Sequence, residues 1–174
     1  MKHKLVTILV IVLSLGCSTT STSIVIADRY DQYKNVTTLT ILPYGNIDIP
    51  GQWTKTNYNE VSKQYFFQDN DSTLIAVTKN PQEKYPFYTV ALTENEFARE
   101  FFEWEKNYYE KQGYEIREKT SGENYVIWTA KGKDVNTIFI YGAKKGIAYN
   151  FGVFTDNWTE KEKIDFLTGL FERN

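Results

Sequence analysis

The sequence predicts an α+β fold in which a twisted, mainly antiparallel sheet carries helices packed on its faces. Short segments of alternating or continuous apolar residues follow one another between brief polar turns, a pattern typical of hairpin-linked strands. Two Thr-x-x-Glu capping boxes, at Thr93 and Thr159, each precede a run with an apolar face at helical spacing. Strands do not alternate with helices in βαβ order, so a parallel sheet is not expected.

The first half of the chain predicts a meander of short strands. Residues 24–40 are ambiguous between a strand and a helix, because an apolar start is followed by a polar segment with two tyrosines. We therefore place the start of the regular domain near Gly45. Strands are predicted over residues 46–49, 53–58, 62–68 and 73–79, and a proline-containing loop over 80–86.

One long helix follows the capping box at Thr93 and ends at Gly113. Its aromatic residues recur at helical spacing in a broad stripe, so we expect the helix to lie flat on the sheet. The stripe consists of Phe97, Phe101, Trp104 and Tyr108, widened by Ala98, Phe102 and Tyr109.

Four hairpin-linked strands are predicted over residues 114–119, 124–131, 135–142 and 147–155. Residues 125–130 and 138–141 are apolar on both faces, which predicts central strands covered on each side. Residues 147–153 alternate more strictly, which predicts burial on one side only. The box at Thr159 begins a closing helix with Ile164, Leu167, Leu170 and Phe171 on one face.

The N-terminus has the layout of an export signal. Two lysines precede an apolar run over residues 5–15, which is too short to span a bilayer, and Gly16-Cys17 follows. Residues 13–17 resemble the lipobox at which bacterial lipoprotein signals are cut, although Ser14 and Leu15 depart from its usual pattern. We predict a signal peptide over 1–16 and a lipid on Cys17. An ordinary secretory signal and a buried N-terminal helix are the alternatives.

Residues 17–27 are predicted to be a lipidated cysteine and a Ser/Thr-rich tether, followed by a single domain over 28–174. In lipoprotein sorting, an aspartate after the cysteine resembles a retention signal for the inner membrane. Ser18 occupies that position, so we expect an outer-membrane location facing the periplasm. More than one acyl chain would give stable anchoring.

The composition after export excludes several kinds of active site. Removal of residues 1–16 takes away Lys2, Lys4 and the one histidine, His3, so the formal charge changes from −2 to −4. Without histidine, neither a Ser-His-Asp system nor histidine-ligated zinc can form. The chain has no glycine-rich phosphate cradle and no basic stripe for nucleic acid. We expect no catalytic residue and no cofactor.

The polar turn at Asp69, Asn70 and Asp71 is the best candidate for a metal site, because closely spaced oxygen ligands suit calcium. A calcium loop of the EF-hand type that starts at Asp69 needs glycine at its sixth position and glutamate at its twelfth. Leu74 and Asn80 stand there instead. We therefore interpret this segment as a hairpin turn with side-chain caps and predict no metal site.

Aromatic side chains supply the candidate binding residues. Tyrosine and tryptophan are enriched at binding surfaces but also fill sheet cores. Loop 85–88 reads as an apolar contact for a partner, or as a segment folded back over the core. The candidate residues are Trp53, Tyr85, Phe87, Tyr88 and Trp158.

Residues 47–53, Ile-Asp-Ile-Pro-Gly-Gln-Trp, resemble the opening of PsbP-like domains. That fold is shared by the oxygen-evolving photosystem subunit and a Ran-binding nuclear-import factor, and similar bacterial lipoproteins exist. The middle helix, the hairpins and the last helix fit the same plan from Asn46 to Phe171. The resemblance implies an α/β/α sandwich and a role in binding or assembly, and it carries over no ligand residue.

The sequence thus favours a membrane-tethered binding or assembly module whose partner is an envelope protein or a small ligand. A glycan-binding lipoprotein is the first alternative. A carboxylate-dependent hydrolase of envelope glycans is the second.

Overall fold

The computed structural model describes residues 24–132 and 136–174. Within them, ten strands form two separate antiparallel sheets, and two helices accompany the larger sheet. The predicted α+β class, with a mainly antiparallel sheet and helices on its faces, is confirmed. The predicted signal peptide and Cys17 lie outside the described residues.

The smaller sheet consists of strands β1 (Ile24–Asp31), β2 (Val36–Leu42) and β3 (Gly45–Pro50), paired in that order. The ambiguous segment 24–40 therefore forms two strands, and the predicted domain start near Gly45 is too late. Strand β1 also includes the last four residues of the predicted tether, 17–27. Three threonines in β2 disguise this strand in the sequence, although threonine favours strands and Thr37 is buried in alternation with Leu39 and Ile41.

The larger sheet contains seven strands whose positions agree with the predicted ones to within a few residues. Their bounds are β4 (Thr54–Asn59), β5 (Gln64–Gln68), β6 (Leu74–Pro81), β7 (Glu115–Ser121), β8 (Tyr125–Lys131), β9 (Asn136–Lys144) and β10 (Ile147–Phe154). They are ordered β4-β5-β6-β10-β9-β8-β7. A short 3-10 turn, Gln82–Lys84, follows β6.

Both helices begin as the capping boxes predict. Helix α1 spans Glu94–Lys111 and helix α2 spans Glu160–Arg173. The hydroxyl of Thr93 accepts a hydrogen bond from the backbone N–H of Glu96, and the Glu96 carboxylate accepts one from the backbone N–H of Thr93 at 2.8 Å. These contacts lower the pKa of Glu96. Neither helix in the described part of the chain combines the length and apolar composition that crossing a membrane requires.

The larger sheet is covered on both faces. Helix α1 packs on one face, where its buried aromatic residues meet Trp128, Phe139 and Tyr141. Helix α2 and the smaller sheet cover the other face. The core on that side includes Leu39, Ile47, Ile127, Ile140, Phe151, Leu167, Leu170 and Phe171.

Strand β10 departs from its prediction of one-sided burial, because it lies between β6 and β9 and is buried on both faces. Tyr149, Phe151 and Val153 face helix α2. The alternate positions hold residues that look exposed in a sequence because they are small or polar. One of them, Gly152, leaves room for the Phe139 ring, which a Cβ at residue 152 would approach to 2.8 Å.

The contact between helix α2 and strand β9 depends on Gly142. A Cβ there would lie 2.5 Å from the Phe171 ring and 2.9 Å from the backbone oxygen of Asn124. We expect Gly142→Ala to lower the free energy of unfolding by about 1–3 kcal/mol, because the ring and the strand must separate. Denaturant titration measures the change.

Gly169 provides the matched control, because it is exposed on helix α2 and a Cβ there would meet no atom within 4 Å. Gly169→Ala is expected to raise stability by about 0.5–1 kcal/mol through helix propensity. Equal unfolding midpoints for the two variants would contradict this account of the α2 contact.

Candidate binding surface

The aromatic loop 85–88 folds back over helix α1. The ring centroid of Tyr85 lies 4.5 Å from that of Phe101 and 5.6 Å from that of Phe97. The Phe87 ring lies 5.2 Å from Phe97. Tyr85, Phe87 and Tyr88 are all partly buried. Of the two interpretations of this loop, the structure therefore supports the one that folds it over the core.

Helix α1 leaves two rings of its predicted buried stripe in solvent. Trp104 is 43% exposed and Tyr108 is 60% exposed, whereas Phe97 and Phe101 are buried. The Trp104 ring lies 5.9 Å from Phe87, and Tyr108 lies one helical turn further along. Loop and helix thus join in one aromatic surface, which we define as Phe87, Tyr88, Trp104 and Tyr108.

The sequence did not identify Trp104 and Tyr108 as surface residues, because they continue the row of Phe97 and Phe101, which is buried in the first half of helix α1 and exposed in the second. The row with Phe102 and Tyr109 packs inward, with the Tyr109 ring 5.4 Å from Trp128. At 3.6 residues per turn, Glu105 falls between the rows, near the middle of the buried arc. A glutamate inside the stripe is the signal that the stripe is not uniformly apolar and buried, with Trp104 at its rim.

Glu105 lies between helix α1 and the sheet, and burial raises the pKa of its carboxyl to about 7. Its charge also helps raise the pKa values of the buried phenols of Tyr85, Tyr109 and Tyr141, for which burial is the main cause. The carboxyl is therefore largely protonated in mildly acidic solution.

Buried carboxamides surround the tyrosines near Glu105. Tyr85 shares a side-chain hydrogen bond with Asn80, and Tyr141 shares one with Asn150. Gln64 Nε2 donates to Asn150 Oδ1 at 3.3 Å. This arrangement can hold and release one proton, but one carboxyl does not supply the acid pair that glycoside hydrolysis uses.

The predicted residues Trp53 and Trp158 lie away from the aromatic surface, on the side of the sheet covered by helix α2. Trp53 is buried, contrary to the role of an exposed platform, and its Nε1 donates to the Pro50 backbone oxygen at 2.6 Å. The Trp53 and Trp158 rings lie 5.8 and 5.2 Å from Phe166. Of the five predicted binding residues, the structure gathers Tyr85, Phe87 and Tyr88 only.

The polar turn at Asp69 is a capped hairpin turn, as the sequence indicates. Asp69 Oδ1 accepts hydrogen bonds from the backbone N–H groups of Asp71 and Thr73, at 3.0 and 2.8 Å. Throughout residues 24–132 and 136–174, no three acidic, cysteine or histidine side chains gather in a way that could hold a metal ion.

Comparison with known proteins finds similarity at the level of structure. No family model matches the sequence, and no curated protein matches it. Among solved structures, the chain is similar to the solution structure of cyanobacterial PsbP (CyanoP) from Synechocystis sp. PCC 6803. The sequence identity is 13%, the TM-score is 0.43, and the match covers 88% of this chain and 94% of that chain.

The buried carboxyl of Glu105 makes stability depend on pH. Its pKa of about 7 in the folded chain lies above the ordinary value of 4.5. Between these values the unfolded chain releases a proton that the folded chain retains, so the free energy of unfolding falls as pH rises and then levels above pH 7. We expect Glu105→Gln to be more stable than the natural chain at pH 8, by up to about 3 kcal/mol, and nearly equal at pH 4.5.

Urea titrations at the two pH values test this expectation. Glu103→Gln is the matched control, since Glu103 is exposed on the same helix and pairs with Lys106 at 3.2 Å in solvent. Its effect should stay within about 0.5 kcal/mol at both pH values. Parallel pH profiles for Glu105→Gln and the natural chain would mean that Glu105 is solvated.

Proposed function

We propose that this chain is a lipid-anchored protein of the bacterial cell envelope that acts as a non-enzymatic binding or assembly module. The observation that carries the binding role is the aromatic surface, because Trp104 and Tyr108 are exposed beside partly buried Phe87 and Tyr88. Large aromatic side chains dominate the energetics of protein interfaces and pay little conformational entropy.

The proposed partner is another envelope protein. The aromatic surface is formed by one helix and the loop beside it, and exposed Glu100, Glu103 and Lys111 lie on the same helix. An aromatic centre with a charged surround is the usual anatomy of a protein interface. A glycan that stacks on Trp104 is the alternative, since an exposed ring also suits a sugar.

The proposed anchor is a lipid on Cys17, after removal of residues 1–16. The basic start, the short apolar run and the position of the cysteine support it. Ser18, in place of aspartate, supports an outer-membrane location facing the periplasm. We further propose a PsbP-like domain, on the resemblance of residues 47–53 and on an order of helices and hairpins that fits that plan.

Lipidation is tested by feeding cells an alkyne analogue of palmitate and measuring its incorporation into the full-length protein. We expect label on the natural chain and a mature mass that begins at Cys17 with acyl groups attached. Cys17→Ser should lose the label, because the thioether and the new N-terminus no longer form. Label that persists in Cys17→Ser would refute the anchor at this residue.

The binding role is tested with a photo-crosslinking residue placed at position 108 of the full-length protein in cells. A single protein adduct is expected, and Trp104→Ala in the same chain should reduce it at least tenfold, since loss of one central anchor costs about 1.4 kcal/mol or more. Position 33, in the exposed β1–β2 turn, is the control and should give no such adduct.

The same experiment separates the two candidate partners. An adduct whose added mass is removed by a glycan hydrolase indicates the glycan alternative. Identical adducts from positions 33 and 108, or an adduct indifferent to Trp104→Ala, would show that the aromatic surface does not recognise a partner.

A further inference from the structure

The N-terminal segment enters the domain at one definite end. In the β1–β2 pair, Ile24 lies opposite Leu42, directly before the turn that leads into β3. Beside that turn, Lys79 Nζ donates to the backbone oxygen of Asn46 at 3.0 Å. The chain therefore comes into the domain next to the β2–β3 turn and the last residues of β6.

Several other turns share this end, which we call the hairpin end. The β9–β10 hairpin lies there, because Ile147 is paired with Pro81 at the end of β6. The β4–β5 turn is also there, since Thr78 donates a hydrogen bond to the backbone oxygen of Lys63. Helix α1 starts there as well, with Glu94 accepting a hydrogen bond from the backbone N–H of Lys145.

The hairpin end exposes apolar side chains. Leu42 is 45% exposed, Val61 is 95% exposed, and Val90, three residues before the cap of helix α1, is 91% exposed. They account for three of the six large apolar side chains that stand in solvent within the described residues. Leu42 ends strand β2, and Val61 and Val90 lie in two different loops, so the three project from separate points around one end of the molecule.

A basic groove of about 400 Å³ opens at the same end. Lys144 closes one wall, because its Nζ donates to the backbone oxygens of Phe171 and Glu172 at the end of helix α2, at 2.5 and 3.2 Å. Lys145 and Arg173 also line the groove, and within residues 24–132 and 136–174 neither forms an ion pair. Their cationic groups are thus open to an anion from outside.

We propose that the hairpin end is the membrane-facing surface of the protein and rests on an anionic phospholipid leaflet. The apolar tips Leu42, Val61 and Val90 enter the interfacial layer, and Lys145 and Arg173 meet lipid phosphates. This inference rests on the proposed lipid at Cys17. Six residues, 18–23, then link the acylated cysteine to Ile24, a span of at most about 25 Å over seven residue steps, so the entry end is held near the leaflet.

Acidic residues at the hairpin end limit the electrostatic contribution. Burial lowers the pKa of Lys144, and the nearby carboxylates of Glu94 and Glu172 act in the opposite direction. The apolar tips must therefore supply part of the contact, and the open cations Lys145 and Arg173 make it sensitive to lipid charge. The occupant that suits both features is an anionic bilayer surface, not a free anion.

The test uses full-length lipidated protein in vesicles of phosphatidylcholine and phosphatidylglycerol at 7:3 that contain a nitroxide-labelled lipid. Val61→Cys carries a bimane fluorophore, and Tyr33→Cys, fully exposed in the β1–β2 turn at the opposite end, is the matched control. We expect quenching at position 61 to exceed that at position 33 at least threefold. Equal quenching at both positions overturns the orientation.

The second part of the test varies the charge of the lipid. Replacing both open cations, by Lys145→Gln with Arg173→Gln, should reduce quenching at position 61 in the anionic vesicles and leave it unchanged in pure phosphatidylcholine. The control pair Lys34→Gln with Lys111→Gln removes the same charge away from the hairpin end and should have no effect. Equal losses from the two pairs would overturn the assignment of Lys145 and Arg173 to lipid contacts.

Failure of the anchor can be told apart from failure of the orientation. If Cys17 carries no lipid, the otherwise unmutated chain takes up the thiol-reactive fluorophore itself and does not float with vesicles. That result overturns the anchor and the membrane-facing surface together. A chain that floats, resists the reagent and shows equal quenching keeps the anchor and loses only the orientation.

Discussion

Burial of both faces of the seven-stranded sheet is the constraint on which the other features depend. Helix α1 covers one face, and helix α2 with the smaller sheet covers the other. The inner strands β9 and β10 consequently contain hardly any side chain that reaches solvent. The large aromatic and apolar side chains that stay exposed within the described residues lie instead on helix α1 and at the two ends of the molecule.

The same constraint explains which parts of the fold could be predicted from sequence. The capping boxes at Thr93 and Thr159 and the hairpins after helix α1 are local features, so their residue patterns are sufficient. The burial of β10 is not local. The small and polar residues of β10 look like a solvent-exposed face in the sequence. They are buried because helix α1 packs over that face of the sheet. Strand β2 was not predicted because its three threonines look polar in the sequence. Its pairing with β1 joins two segments and cannot be read from either one alone.

The candidate site was predicted only in part, and for a related reason. Loop 85–88 stands out in the sequence by its aromatic composition. Its position, however, depends on helix α1, against which Tyr85 and Phe87 pack. The rotation of that helix decides whether Trp104 or Glu105 points inward. Both rows of helix α1 are aromatic, so composition does not show which of their rings are exposed. In the structure Glu105 is directed inward, and its carboxyl loses solvation. Trp104 and Tyr108, on either side of it in the sequence, are exposed.

Helix α1 links the two proposed surfaces because it begins at the hairpin end and runs away from it. From Thr93 to Tyr108 the axis advances by about 22 Å, at ~1.5 Å per residue. A leaflet against the hairpin end would therefore leave Trp104 and Tyr108 beyond the headgroup region and open to a partner from the aqueous side. Helix α1 thus has its cap at the hairpin end, whereas Trp104, Glu105 and Tyr108 lie in its second half, so the two proposed contacts would not compete for the same residues.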